Sequence, residues 1–282
     1  MYTGYRWEVL ILVEVEVVDK TDNTIRLIIR GVDVSFMNTL RRLMLTEIPC
    51  MAVDDVVILE NSSVLNDETL AHRLGLVPLT TDLDSYNLPE ECPCKSEFGC
   101  NLCRVALTLN VEAADDTKTV YSGDFVSENQ DVKPVSDRIS IVKLAQDQKL
   151  KLEAYARLGQ GKVHAKWQPV FMCAYKFFPQ IKIDGKRCDA CEDCVKVCSK
   201  SVLVKVGNKI EVRNVIDCTL CEDCVDACLK NPSAVELTWD KNAFIFDIES
   251  TGALPVERLV TEAFSILDKK LESFLGNLKQ VK

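Results

Sequence analysis

The sequence predicts an α+β protein with a separate cysteine-rich module set into it, and three observations carry that prediction. Short runs alternate apolar and polar residues with the period of a strand. Other segments repeat apolar residues at helical spacing, and eight of the fourteen cysteines fall in one dense stretch. At 282 residues, with 47% hydrophobic and 27% charged side chains, the chain suits about two domains with real cores.

Val13, Val15 and Val17 alternate with Glu14 and Glu16, which reads as a strand; Ile25, Leu27 and Ile29, interleaved with Arg26, Ile28 and Arg30, make a second. The polar stretch 19–24 is the turn between them. Ser35 then stands as the N-cap of a helix whose stripe is Phe36, Leu40, Leu43 and Met44, and Pro49 closes it. A strand over 53–59, a turn at Asn61-Ser62-Ser63 and a short helix from Asp67 to Gly75 follow. A loop-rich region then runs to about Gln168, with strands at 105–111 and 149–156.

Near the C-terminal end, residues 243–248 form a strand with Phe244, Phe246 and Ile248 on one side, and Pro255 suits the first turn of a helix. In that helix, about 36 Å long from Pro255 to Leu278, Val260, Phe264, Leu267, Leu271, Phe274 and Leu278 repeat at alternating spacings of four and three. Such a seam serves either the chain's own core or a second helix. Leu259, Ala263, Ile266 and Leu275 widen the apolar surface, so one face can lie on the chain's own sheet while another meets a partner.

The net charge of −9 argues against direct nucleic-acid binding, which needs a basic face to displace counterions from phosphates. The basic runs are only pairs, Arg41-Arg42 and Lys269-Lys270. An apolar run at 9–13 is too short to span a membrane and is broken by Glu14 and Glu16. The expectation is a cytoplasmic protein with no membrane contact. Thiols stay reduced there, so metal ligation is favoured over disulfides.

Cys188, Cys191, Cys194 and Cys198 form C-x2-C-x2-C-x3-C, and Cys218, Cys221, Cys224 and Cys228 repeat it thirty residues further on. Both copies contain Cys-Glu-Asp-Cys-Val. A [4Fe-4S] cube presents four irons, each needing one thiolate; three cysteines at two-residue gaps wrap three corners, and the fourth ligand comes from elsewhere. The alternative is a pair of zinc sites, although zinc knuckles need no third cysteine at the same interval. A hairpin at Gly207-Asn208, between apolar runs 202–206 and 210–215, links the two halves. The segment 184–235 is too small for a large core, so its cofactors would staple it together.

The double run resembles the two-cluster ferredoxins, in which the fourth cysteine of each run serves the other cluster. That resemblance implies one [4Fe-4S] cluster on Cys188, Cys191, Cys194 and Cys228, and a second on Cys218, Cys221, Cys224 and Cys198. The proline that usually follows the last cysteine is replaced by Ser199 and Leu229, which removes no ligand. A smaller block, Cys92, Cys94, Cys100 and Cys103, suits a tetrahedral structural zinc, with free surface thiols or another cluster site as alternatives. Cys50 and Cys173, among apolar neighbours, are expected to be buried.

Four further stretches share one resemblance. Phe36-Met37-Asn38-Thr39-Leu40-Arg41-Arg42-Leu43-Met44 with Glu47-Ile48-Pro49 and Met51-Ala52-Val53-Asp54, then residues 71–79, His164-Ala165-Lys166-Trp167 with Pro169, and residues 246–252 are similar to signatures of the α-like subunits of RNA polymerase, in the family's order. The resemblance implies a discontinuous dimerisation domain (1–48, 166–183 and 236–282), interrupted by a second domain (49–165) and by the ferredoxin-like domain (184–235). It implies a non-catalytic assembly platform that pairs with the smaller subunit L through the helices at 36–44 and 255–278, and then supports subunits N and P and the two large catalytic subunits. Eukaryotic relatives carry a zinc loop where Cys92 to Cys103 fall.

No phosphate-binding glycine loop, nucleophilic set or carboxylate pair is visible, so no catalytic residue is assigned. His72 and His164 are expected to pack or hydrogen-bond. Arg41 and Arg42 would either face the large subunits or simply be solvated. The competing function is an electron-transfer subunit of a redox enzyme, but the residues around the module offer no second redox centre.

Overall fold

The computed structural model describes residues 13–280 except Glu97. The part of the early apolar run at 9–12 therefore lies outside the described residues. In chain order the elements are β1 (Glu14–Lys20), β2 (Thr24–Arg30), α1 (Val34–Thr46), β3 (Pro49–Asn61), α2 (Asp67–Gly75) and β4 (Arg104–Ala113). They continue with β5 (Lys118–Tyr121), β6 (Val126–Ser127), β7 (Ser140–Leu144), β8 (Gln148–Gln160), β9 (Val170–Ile183) and α3 (Asp193–Val197). The last are β10 (Leu203–Val206), β11 (Lys209–Val212), α4 (Asp223–Asp226), β12 (Val235–Ser250) and α5 (Val256–Gln280). The class is mixed α+β. Among the described residues, no helix is long and apolar enough to cross a membrane.

Two compact units share these elements. The first holds the described residues up to Asp19, Arg26–Met37 and Ala174–Asp247; the second holds Lys20–Ile25, Asn38–Cys173 and the described residues from Ile248 onward.

In the first unit lies most of a four-stranded sheet ordered β1-β2-β12-β9. Phe244 and Phe246 of β12 are fully buried, and Tyr175 and Phe177 of β9 stack on Phe244 at 5.6 and 5.1 Å. Strand β2 buries Leu27, Ile28 and Ile29, so Ile28 joins the core instead of alternating out of it. The same unit carries the cysteine-rich insert, where β10 and β11 pair antiparallel around Gly207-Asn208. Gly207 has φ +60°, the left-handed turn conformation that a two-residue hairpin requires.

The second unit is built on an antiparallel sheet ordered β3-β8-β4-β6. Inward residues of β4 (Val105, Leu107, Leu109, Val111) and β8 (Leu150, Leu152, Ala154, Ala156, Leu158) alternate with polar ones, and Leu70 and Leu74 of α2 complete the core. Between Val53 and Asp55 the register of β3 against β8 shifts, leaving Asp54 as an extra bulged residue. Its carboxylate is thereby turned onto Arg157 and Lys166. Beside it Trp167 donates to the Arg157 carbonyl at 3.1 Å and lies flat on Gly159, where a Cβ would fall 2.3 Å from the indole.

Helix α1 starts two residues earlier than its apolar pattern suggests. Asp33, not Ser35, caps it, accepting the Phe36 N–H at 2.7 Å. Met37 takes the fully buried position assigned to Phe36, which is only partly covered. Helix α5 buries Val256, Leu259 and Ala263, after which Leu271, Phe274, Leu275 and Leu278 are 53–60% exposed.

Two glycine substitutions test this packing in opposite directions. Gly159→Ala pushes a methyl into the Trp167 ring and should destabilise the second unit by about 1–3 kcal/mol. Gly276→Ala, with open space around its Cα, should stabilise α5 by about 0.5–1 kcal/mol. Urea unfolding followed by far-UV circular dichroism should show the two midpoints moving apart.

Candidate functional site

The cysteine repeat becomes a repeat in backbone geometry. Cys194 sits within α3 and Cys224 within α4, while Cys198 and Cys228 fall just beyond these short helices. Ala190 and Glu192 have φ +58° and +72°, and Leu220 and Glu222, at the equivalent positions thirty residues on, have φ +59° and +67°. Left-handed conformations in non-glycine residues each cost about 1 kcal/mol or more, so their duplication marks a loop held to one shape. Alternating left- and right-handed residues point successive N–H groups into a concave nest, a surface suited to anions.

The two loops exchange their last cysteines. One cavity is lined by Cys188, Cys191, Cys194 and Cys228 with Ile210 and Val235. The other is lined by Cys218, Cys221, Cys224 and Cys198 with Ile181, Leu203 and Leu237. Each crossing cysteine is oriented by the backbone: Val202 N–H donates to Cys198 Sγ at 3.4 Å and Ala234 N–H to Cys228 Sγ at 3.3 Å. Burial pushes the Cys194 thiol up and the Cys224 thiol to about 11, so a bare cavity disfavours the thiolates that a cation would stabilise. Cys191 and Cys221 are the exposed members of the two sets.

Lys176 of β9 donates to the carbonyls of Ile216 and Cys218 at 2.6 and 2.9 Å. Arg26 of β2 reaches Asp247 at 2.5 Å and Asp217 at 3.6 Å. Neither cation carried a motif in the sequence; only the folded sheet brings them to this loop.

Cys92, Cys94, Cys100 and Cys103 converge more tightly. Their sulfurs all lie within 4.8 Å of one another, and among the described residues this is the one cysteine, histidine and carboxylate group so close that a single ion could take all its ligands. Measured pairs are 3.7 Å for Cys92–Cys100, 3.9 Å for Cys94–Cys103 and 4.0 Å for Cys100–Cys103. Against the pull of the Cys94 backbone N–H, burial and hydrogen bonds to its neighbours hold the Cys92 thiol up, while the Ser96 backbone N–H and those neighbours bring Cys94 down to about 7.

The remaining singled-out residues have quieter places. Cys50 and Cys173 are buried, and burial raises their thiols to about 11 and about 12. His164 Nδ1 accepts the Lys166 N–H at 3.0 Å, whereas His72 is exposed in the last turn of α2 instead of packed. Arg41 donates to Asn38 at 3.1 Å on its own helix, and Arg42 is exposed.

Residues 56–173 match the model of the RNA polymerase Rpb3/RpoA insert domain. Over nearly the full length, the chain is 43% identical to the DNA-directed RNA polymerase subunit Rpo3 of Archaeoglobus fulgidus, covering 95% of this chain and 98% of that one. This chain belongs to the Rpo3 family. Two further Rpo3 subunits are similar: that of Methanosphaera stadtmanae at 40% (93% and 97% covered) and that of Methanothermobacter thermautotrophicus at 42% (91% and 96%). Rpo3 is an archaeal RNA polymerase subunit, so the α-like resemblance of the sequence holds, and the reading as a redox-enzyme subunit finds no support. Membership places the chain in transcription, with other RNA polymerase subunits as its partners.

If the Cys92 set holds an ion, Cys94→Ser should remove about one metal equivalent per chain without altering metal elsewhere. Retention should also weaken as pH falls, and most steeply below about 7, because each released thiolate takes up a proton and Cys94, the readily ionised member, does so only there. Elemental analysis after gel filtration at several pH values checks both.

Proposed function

We propose that this Rpo3 chain is the non-catalytic assembly platform of a cytoplasmic archaeal RNA polymerase, pairing with subunit L and then supporting subunits N and P and the two large catalytic subunits. The observation that carries the reading is α5, whose apolar seam continues past Ala263 with Leu271, Phe274 and Leu278 more than half exposed. A bare a/d seam is the surface that a partner helix covers. Residues 1–48, 166–183 and 236–282 would form the dimerisation domain. Residues 49–165 would be the inserted second domain, a division supported by the insert-domain match at 56–173, and 184–235 the ferredoxin-like domain.

In that domain Cys188, Cys191, Cys194 and Cys228 would hold one [4Fe-4S] cluster, and Cys218, Cys221, Cys224 and Cys198 the other. Two features support cubes over single ions. Each cavity combines three cysteines of one run with the last of the other. The other is the spacing of each run, whose three cysteines at two-residue gaps can each reach a separate corner of a cube. Such clusters would brace an insert whose own buried core is small: Ala190, Cys194, Leu203, Ile210, Cys224 and Val235. The Cys92 set fits zinc, since four sulfurs about 2.3 Å from one ion stand about 3.8 Å apart at tetrahedral angles.

Affinity purification under anaerobic conditions should bring down the smaller α-like subunit. The isolated chain should contain about eight irons and one zinc, with broad absorbance near about 400 nm. A colourless preparation holding only zinc would overturn the cluster reading. Replacing Cys188, Cys191 and Cys194 together by Ser should spare pairing with subunit L while reducing recruitment of the large subunits, measured by reconstitution; undiminished recruitment would show that cluster occupancy does not govern assembly.

A further inference from the structure

We propose that Lys176 is a positioning residue for the second cysteine cradle, fixing the Cys218 end of its loop to the four-stranded sheet and making the two cradles unequal. The proposal rests on the reading that this cradle holds an iron–sulfur cluster. It begins from where the ligands lie along the chain. Cys188 follows the last residue of β9, Ile183, by five positions, and Cys228 precedes the first residue of β12, Val235, by seven. The first cradle is thus drawn to the sheet by short covalent links at both ends. Cys218, by contrast, lies thirty-five positions after Ile183 and seventeen before Val235. Chain continuity alone gives its run little purchase on the sheet.

Non-covalent contacts supply what the chain does not. The Lys176 ammonium binds the Ile216 and Cys218 carbonyls, one of which belongs to a ligand residue itself. Arg26 grips Asp217, between those two residues, while its guanidinium also holds Asp247 of β12. Strands β2 and β9 therefore both engage the segment 216–218, while Asp247 of β12 holds the Arg26 guanidinium in place. Ile181 of β9 and Leu237 of β12 also line the second cavity. The ion pairs around the first run close on the insert instead: Lys230 meets Asp189 at 2.7 Å, and Arg187 meets Asp184 at 2.6 Å.

A carbonyl pair bound by an ammonium is fixed more firmly than one bound by water, and a ligand held in place releases its metal more slowly. Taking away the ammonium frees the Cys218 backbone while leaving all four thiols of the second cradle present. The loss should therefore be selective, touching four of about eight irons.

The test follows iron release from the anaerobic full-length chain into a ferrous chelator, with electron paramagnetic resonance of dithionite-reduced samples taken along the course. In Lys176→Met, about half of the iron should leave about tenfold faster than in the wild type, the scale of one charge-assisted hydrogen bond. The other half should leave at the wild-type rate. The reduced spectrum should pass from that of two interacting clusters to that of one isolated cluster, and Lys176→Arg should restore slow release. Wild-type release in Lys176→Met overturns the proposal, as does equal acceleration of all the iron, which would indicate a general loosening of the fold. A wild-type chain without iron overturns the cluster reading first and this proposal with it, so the two failures are separable.

Discussion

Thiolates gathered at one place repel one another, and burying them without a cation is more costly still. That constraint explains the first unit. Its insert has only a small buried cluster for a core, Cys194 and Cys224 among its members, and most of its ordered backbone is loop rather than ladder. Strained left-handed residues and backbone N–H groups aimed at sulfur shape the two loops that carry its eight cysteines. The second unit meets that constraint at the loop of Cys92 to Cys103, while alternating Leu, Val and Ala on β4 and β8 give the rest of it a conventional apolar interior.

The sequence made visible whatever depends on near neighbours. Strand alternation in β4, the hairpin at Gly207-Asn208 and the spacing of all twelve cysteines in the three cradles are written within a few residues of one another. The pairing of β3 with β8 over its full length could not be read, because its ends are set by a partner about a hundred positions away. Asp33 was missed as a cap because Ser35 has the same chemistry and lies nearer the apolar stripe. The left-handed residues at 190, 192, 220 and 222 left a faint signal, since the glutamates recur with the cysteines. Lys176 left none; a lysine in a strand has no spacing that announces which carbonyls it will meet.

The bulge at Asp54 shows how one extra residue organises its surroundings. By displacing a carboxylate from the strand it gathers Arg157 and Lys166. Lys166 in turn lies 4.3 Å from the Trp167 ring and donates to the Val53 carbonyl at 3.1 Å. Trp167, with Cys50, Ala52 and Ala253, forms a small separate apolar cluster, so a stretch that reads as a sequence signature acts here as a clamp on the end of a sheet. Glu47 plays a similar part, receiving Lys162 and Lys270 at 3.0 and 2.8 Å.

Helix α5 outruns its own support: past Ala263 no residue of it is fully buried. A rod left greasy along its outer half sets a rule of supply. Every copy made beyond the number of available covers offers water a surface that water rejects, and such surfaces find each other. The cell must therefore match production of this chain to that of whatever sheathes the rod, or dispose of the surplus before it clumps.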